Sequence, residues 1–256
     1  MGCVMKEEEV AFLNERGRRL SAVIIRPGLG EPAAMAVLCH GMLSGKNSPK
    51  HVALSERLAA RDIATLRFDF TSRYASEGPI EELTYTHQVL DLEAAVNFAR
   101  ETFGPLPLGI YGSSMGGTVA LLYTARLGNV NALATISAVG RPGELWSAWL
   151  GEEKKAQWRK EGWIELRGIR LPWSFYMEAL TNDAIGAAAC VRCPLLVVHG
   201  AKDTVVPVAQ AREIHAAAAG EKKLVILPEA DHSYSRPEDL ARMLQEVAGW
   251  LQTNLL

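Results

Sequence analysis

Gly112-Ser113-Ser114-Met115-Gly116 decides the reading of this chain. It follows the apolar run from Leu106 to Tyr111 and opens onto a second one, Thr118 to Tyr123. Such a pattern reads as a strand, a very tight turn and a helix. A serine on that turn takes strained backbone geometry, with its hydroxyl held above the edge of a sheet. Glycines two before and two after are needed because side chains there would clash across the turn. The helix N-terminus behind the turn favours negative charge. That suits a serine nucleophile whose attack creates an oxyanion. Ser113 is adjacent, but only Ser114 has glycine at both −2 and +2.

Two further segments fall where that chemistry requires them. His199-Gly200-Ala201-Lys202-Asp203 follows Leu195 to Val198, a short run after Pro194 that reads as a buried strand. Asp203 then sits on the loop at the carboxyl end of that strand. Ala230-Asp231-His232-Ser233 follows the strand-like Leu224 to Leu227 and the breaker Pro228. Ser114, Asp203 and His232 thus occur in the order nucleophile, acid, histidine, each just past a predicted strand. In a parallel sheet those ends converge on one edge, where ligands bind. A serine hydroxyl needs a base within hydrogen-bond reach. Histidine can take its proton and return it to the leaving group, while the carboxylate fixes the imidazole tautomer. Asp203 also suits a turn or the N-cap of a helix from Val208. Asp231 is a rival acid, but it directly precedes His232 and would point elsewhere on an extended loop. His51, His87 and His215 fall in helical patterns, and His40 and His199 are expected to be structural.

This order of motifs resembles the α/β-hydrolase family, and the resemblance covers nearly the whole chain. It implies an oxyanion hole of two backbone N–H groups. One belongs to Met115, the residue after the nucleophile. The other is that of Met42, because His40-Gly41-Met42 after the strand Met35 to Cys39 is similar to the family's His-Gly-x loop. Within the family, that loop, Arg67-Phe68-Asp69-Phe70 and a compact insertion look most like small carboxylesterases, including feruloyl- and cinnamoyl-esterase-like enzymes. The implied reaction is acyl transfer to water through an acyl-Ser114 intermediate, on a small-molecule ester, with no metal or organic cofactor. A thioesterase or small-peptide hydrolase would use the same triad, and a hydrolase-fold ligand receptor with incidental turnover is a reading from another class. An aspartate-nucleophile dehalogenase is disfavoured because the turn carries Ser114.

Elsewhere the chain alternates strands and helices. Residues 6–26 read as a β-hairpin about Asn14 to Arg18, and Ser48-Pro49 as the start of a helix through Leu58. A strand from Ala64 to Asp69 follows, then a helix from about Thr86 to Thr102, and the last helix runs from about Pro237 to Leu251. This is the rhythm of a mostly parallel, doubly wound sheet, and the family resemblance implies that the N-terminal hairpin is its antiparallel edge. The rhythm breaks between Gly140 and Asp183. Trp146, Trp149, Trp158, Trp163 and Trp173, five of the six tryptophans, lie there with Phe175 and Tyr176. Trp163 to Leu171 alternates about Gly168 like a small hairpin. The insertion falls where related hydrolases place a cap, so the resemblance implies a core of residues 1–139 and 184–256 with a cap at 140–183. A cap of that size has little core and uses large aromatics as anchors. One or two of Trp146, Trp149, Trp163, Trp173 and Tyr176 are expected to line the acyl pocket. Lys154, Lys155, Arg159 and Lys160 are offset by Glu152, Glu153, Glu161 and Glu165, which reads as a solvated outer face. Short-chain or aromatic acyl groups are therefore expected over long chains and CoA-bound substrates.

Composition narrows the partners. A chain of 256 residues with 48% hydrophobic and 22% charged residues fits one globular α/β domain. A formal net charge of −2 and the absence of a long basic run speak against nucleic acid. No run of 18 apolar residues suggests a membrane span. The first nine residues turn acidic at once and lack an apolar signal core, and Lys6 stands where a myristoylation signal at Gly2 would need Ser or Thr. A cytoplasmic location is expected. Cys39 reads as a buried thiol, while Cys190 and Cys193 lack the setting of a redox or zinc pair; Cys3 is the fourth cysteine.

Overall fold

The short apolar runs become strands of one sheet, and the longer amphipathic stretches become helices on its two faces. The computed structural model describes residues 6–28 and 30–256; Gly2 and Cys3 lie outside them. The first half of the chain supplies β1 (Lys6–Leu13), β2 (Arg19–Arg26), β3 (Ala34–Cys39), α1 (Pro49–Ala59), β4 (Ile63–Phe68), α2 (Tyr85–Phe103), β5 (Leu108–Ser113), α3 (Met115–Leu127) and β6 (Ala132–Ile136). The second supplies α4 (Pro142–Glu161), β7 (Trp163–Leu166), β8 (Ile169–Pro172), α5 (Trp173–Ala179), α6 (Ala184–Ala188), β9 (Leu195–Gly200), α7 (Val208–Ala217), β10 (Lys222–Leu227) and α8 (Pro237–Leu255).

The main sheet has the order β1-β2-β4-β3-β5-β6-β9-β10. β2 is antiparallel to both β1 and β4, and the remaining pairs are parallel. Strands β3 to β6 and β9 are buried throughout, as strands covered on both faces must be. Leu54 and Leu58 of α1 pack with Met243, Val247 and Leu251 of α8 on one face. Leu92 and Val96 of α2, Val119 of α3 and Ile214 of α7 serve the other. The two edges carry Glu7 to Glu9 and Lys222-Lys223, charges that discourage pairing with another chain. α8 runs one turn beyond the sequence expectation because Leu251 and Leu255 share its buried face.

Parallel strands put the loops after β3, β5, β9 and β10 at one edge. Over that edge lies the segment between β6 and α6. Its helix α4 breaks at Gly151 (φ 68°, ψ 174°). β7 and β8 pair antiparallel, Leu166 opposite Ile169. Their two-residue turn is Arg167-Gly168, both at positive φ (47° and 79°), a geometry that suits a tight hairpin. The segment is pinned to the sheet's own helices at a distance in sequence. Glu178 of α5 accepts hydrogen bonds from the backbone N–H groups of Tyr85 (2.9 Å) and Thr86 (2.8 Å). These are first-turn donors of α2 that no helical carbonyl can satisfy, and the carboxylate also suits the positive end of that helix.

Candidate active site

Ser114 joins β5 to α3 at φ 54°, ψ −120°, a region that side chains rarely occupy. The two glycines have different reasons. A Cβ on Gly112 would lie 2.3 Å from the carbonyl oxygen of Gly116, across the turn. A Cβ on Gly116 would lie 2.5 Å from the carbonyl oxygens of both Cys39 and His40, so that glycine serves the close approach of β3 instead. The turn is tied down by Ser114 N–H donating to Ile136 O (2.9 Å) and by Gly117 N–H donating to Ser114 O (2.9 Å). Both serines border a cavity, but Ser113 is buried whereas Ser114 is only partly covered.

The structure brings the three spaced residues together. His232 Nε2 lies 3.2 Å from Ser114 Oγ, and His232 Nδ1 lies 2.8 Å from Asp203 Oδ2. A carboxylate can only accept, so Nδ1 carries the proton and Nε2 is left free to take the serine's. Asp203 is fully covered. Its Oδ1 accepts from the N–H groups of Val205 and Val206, both at 2.8 Å, which fixes the loop after β9. Burial opposes its charge, but hydrogen bonds from His199 and His232 and the Val206 amide outweigh that. They hold the carboxyl well below the usual carboxylate range. Asp231 does not reach His232. Its carboxylate accepts from Ser233 N–H (3.1 Å) and Ser235 N–H (2.9 Å), shaping the loop that carries the histidine.

His199 has more to do than end a strand. Its Nε2 faces Asp203 Oδ2 at 3.2 Å and Val206 O at 2.9 Å, both acceptors, so Nε2 carries the proton. Asp203 Oδ2 therefore lies between two imidazoles, accepting from His232 and facing the Nε2–H of His199. The signal was its place four residues before Asp203, but only the bend of the loop shows that the two side chains meet.

The loop after β3 lies against the serine: a Cβ on Gly41 would sit 3.2 Å from Ser114 Cβ. His40 shapes this loop. Its Nδ1–H donates to Gly41 O (2.7 Å) and its Nε2 accepts from Phe70 N–H (3.1 Å). Burial pushes its pKa down to about 4, in keeping with a neutral ring that both donates and accepts. Asp69 secures the next turn, accepting from Lys46 N–H (2.7 Å) and pairing with Lys46 Nζ (2.9 Å). Met42 and Met115 both border the cavity beside Ser114. Met115 opens α3, so its N–H has no partner within the helix.

The cavity has a volume of about 840 Å³. Of the five aromatic candidates, Trp146 and Trp149 border it, and Trp163, Trp173 and Tyr176 do not. Those three are taken up elsewhere. The Arg170 guanidinium stacks 3.9 Å from the Trp163 ring centroid. Trp173 packs on Tyr176 (4.8 Å) and Trp158 (5.6 Å), and Tyr176 shares a hydrogen bond with Ser147 Oγ (2.7 Å). Val139, Leu145, Leu166 and Val205 complete the apolar wall, with Lys50 and Arg167 as its cations. None of these six was singled out from sequence. Lys50 could have been noticed, since a cation in the first turn of a helix opposes the helix dipole.

His51, His87 and His215 do not border the cavity. No cluster of three or more His, Cys, Asp or Glu able to hold a metal is found among the described residues. Cys39 is buried, Cys193 half-buried and Cys190 exposed, all three as free thiols. No helix of the described residues is long and apolar enough to cross a membrane.

A strained serine turn, a histidine between serine and acid, and this sheet order define an α/β-hydrolase arrangement. The family profile described as "Alpha/beta hydrolase family" matches residues 36–243, and the chain belongs to that family. It is 31% identical over 180 residues to the mitochondrial palmitoyl-protein thioesterase ABHD10 of Mus musculus. That match covers 65% of this chain and 58% of the mouse protein, less than two thirds of its length. The structure of Est1E from Butyrivibrio proteoclasticus with bound ferulic acid superposes with a TM-score of 0.85 at 22% identity, covering 96% of this chain and 98% of that one. An esterase domain from a Rhodothermus marinus protein superposes at 0.76 with 26% identity, covering 98% and 100%. Within its family, the chain resembles small carboxylesterases.

Proposed function

We propose that this protein is a serine hydrolase acting on ester bonds: a carboxylesterase that cleaves short-chain or aromatic acyl esters through an acyl-Ser114 intermediate. The observation that carries the reading is His232, within hydrogen-bond reach of Ser114 on one side and of buried Asp203 on the other. His232 takes the Ser114 proton as Oγ attacks the acyl carbon, then gives it to the departing oxygen. Water repeats the sequence on the acyl-enzyme and frees the acid. The N–H groups of Met42 and Met115 receive the oxyanion, each contributing about 3 kcal/mol in the transition state. Residues 1–139 and 184–256 serve as the core. Residues 140–183 serve as a cap that excludes water and presents Trp146 and Trp149 to the acyl group.

A thioesterase reading is favoured by one observation, the activity for which the mouse relative is named. It uses the same three residues on a sulfur leaving group. The cavity, of about 840 Å³, has room for a long acyl chain as well as a short one, so the acyl series decides between the two readings. The test is a series of p-nitrophenyl esters from acetyl to palmitoyl, run beside acyl-CoAs, with a fluorophosphonate adduct mapped on the protein. Short or aromatic esters should be hydrolysed best, and the adduct should fall on Ser114. An optimum on long-chain acyl-CoA, or an adduct on Ser113, overturns the assignment.

A further inference from the structure

Two cations face the cavity that holds Ser114 and His232, and neither is spoken for. Lys50 and Arg167 both border it, and neither makes a salt bridge or side-chain hydrogen bond among the described residues. Lys50 is partly covered and left unpaired, which is costly for a charge, so a site that keeps it there has a use for it. Lys50 is the second residue of α1, behind Ser48 and Pro49, and that first turn holds no acidic residue. The positive end of the helix therefore reinforces the ammonium instead of neutralising it.

The neighbours of Lys50 fix which side of the cavity it serves. Burial pushes its pKa down to about 8, opposed by attraction to Asp203 and Asp231, so it is still charged at neutral pH. Both carboxylates are already engaged. Asp203 is held by His232 and His199, and Asp231 by the amides of Ser233 and Ser235. α1 packs against α8, the helix that follows the His232 loop, and Lys50 lines the cavity together with Asp231, His232 and Leu240, so it stands on the His232 side. His232 is the group that protonates the departing oxygen, so the leaving-group half of an ester must lie there. The acyl half is left with Trp146, Trp149 and the apolar wall. Arg167 comes from the hairpin of β7 and β8. It is an exposed arginine at φ 47°, a strained position that glycine or asparagine ordinarily fills.

We propose that the cavity selects esters whose leaving-group half carries a carboxylate, bound by Lys50 with Arg167 as a second cation at the rim. This rests on the hydrolase reading above, and the test separates the two. The probes are 4-acetoxybenzoate and its neutral methyl ester, with each kcat/KM divided by the probe's own rate of hydroxide hydrolysis. At low salt the wild-type protein should favour the carboxylate about tenfold, and the ratio should shrink as ionic strength rises. Lys50→Met should lower the ratio about tenfold, Lys50→Arg should restore most of it, and Arg167→Gln should lower it about threefold. Calorimetry on Ser114→Ala then measures binding of both probes without turnover. A wild-type ratio near one, or a ratio that Lys50→Met and Arg167→Gln leave unmoved, overturns the carboxylate site and leaves the esterase standing. Carboxylate-dependent binding to Ser114→Ala with no turnover of either probe by the wild-type protein does the reverse.

Discussion

The triad edge of the sheet and the segment above it are held by different physics. At the edge, backbone meets backbone. Gly112, Gly116 and Gly200 each sit where a Cβ would come within 2.5 Å of a carbonyl oxygen, and Ser114 is locked at positive φ between them. Above it, side chains meet side chains. Trp146 packs edge-to-face on Phe175 (5.4 Å) and Trp149 (5.5 Å), and Trp158 buries its ring and donates Nε1–H to Leu171 O (3.0 Å). Constraints of the first kind admit one arrangement, because backbone cannot repack. Those of the second kind can be met by other rings in other orders. On the proposed function, reaction chemistry belongs to the edge, and choice of the acyl group to the segment above it.

The largest effects should come from the edge and touch turnover alone. Ser114→Ala should remove nearly all esterase activity while Ser113→Ala stays folded and largely active, both read by p-nitrophenyl acetate hydrolysis. Asp203→Asn should lower kcat by roughly 10⁴-fold and couple non-additively with His232→Ala. Asp231→Asn should fall far short of that, because its carboxylate serves its own loop. Normal turnover in Asp203→Asn would dissolve the distinction between the two regions.

Next come effects on stability. Trp158→Ala should cost about 3–5 kcal/mol in urea unfolding, the penalty for a large buried ring, while leaving the relative rates across an acyl series nearly unchanged. Changed relative rates would mean that anchor and pocket are not separable.

A smaller effect concerns pH. Burial holds His40 down to about 4 and His51 well below its ordinary value, so both stay neutral in the folded protein at neutral pH. The unfolded chain takes up these protons near pH 6.5. Stability from both is complete above that value. It should fall by up to about 1.4 kcal/mol per pH unit for each histidine as the pH drops from there toward about 4. Both rings lie behind the triad edge. Urea midpoints that stay flat from pH 7 to pH 5 would contradict this.

The smallest effect should be that of Trp149→Ala. The residue is 43% exposed, so stability should change by less than about 1 kcal/mol. Its place on the cavity wall should still shift acyl preference a few-fold, measured on the same ester series. An unaltered preference would leave Trp146 as the aromatic that matters.

The same contrast explains what could be read from the residues alone. Glycine at −2 and +2 around Ser114 is a local signature of a backbone requirement, so it survives in the one-dimensional string. Asp203 and His232 were legible because each follows a short apolar strand, and parallel strands must end on the same side. The pocket aromatics were not legible in that way. Five tryptophans between Gly140 and Asp183 announce a cluster, yet nothing local tells that Trp146 faces the cavity while Trp173 faces Tyr176. His199, Lys50 and Arg167 act through neighbours brought by loops and a hairpin turn, so their partners have no fixed offset in sequence. The last turn of α8 lay beyond the expected end at Leu251, although Leu255 continues the same buried stripe.

Glu178 gives the segment above the triad a built-in gauge. Its carboxylate holds the amides of Tyr85 and Thr86, more than ninety residues away in sequence, and reaches the Thr86 hydroxyl as well. When α5 lifts, those two protons lose their acceptor and meet solvent. Their exchange with deuterium then times the opening of the roof directly, in a protein that carries no label. Tyr85 also lines the cavity that holds Ser114, so the gauge sits beside the candidate site itself.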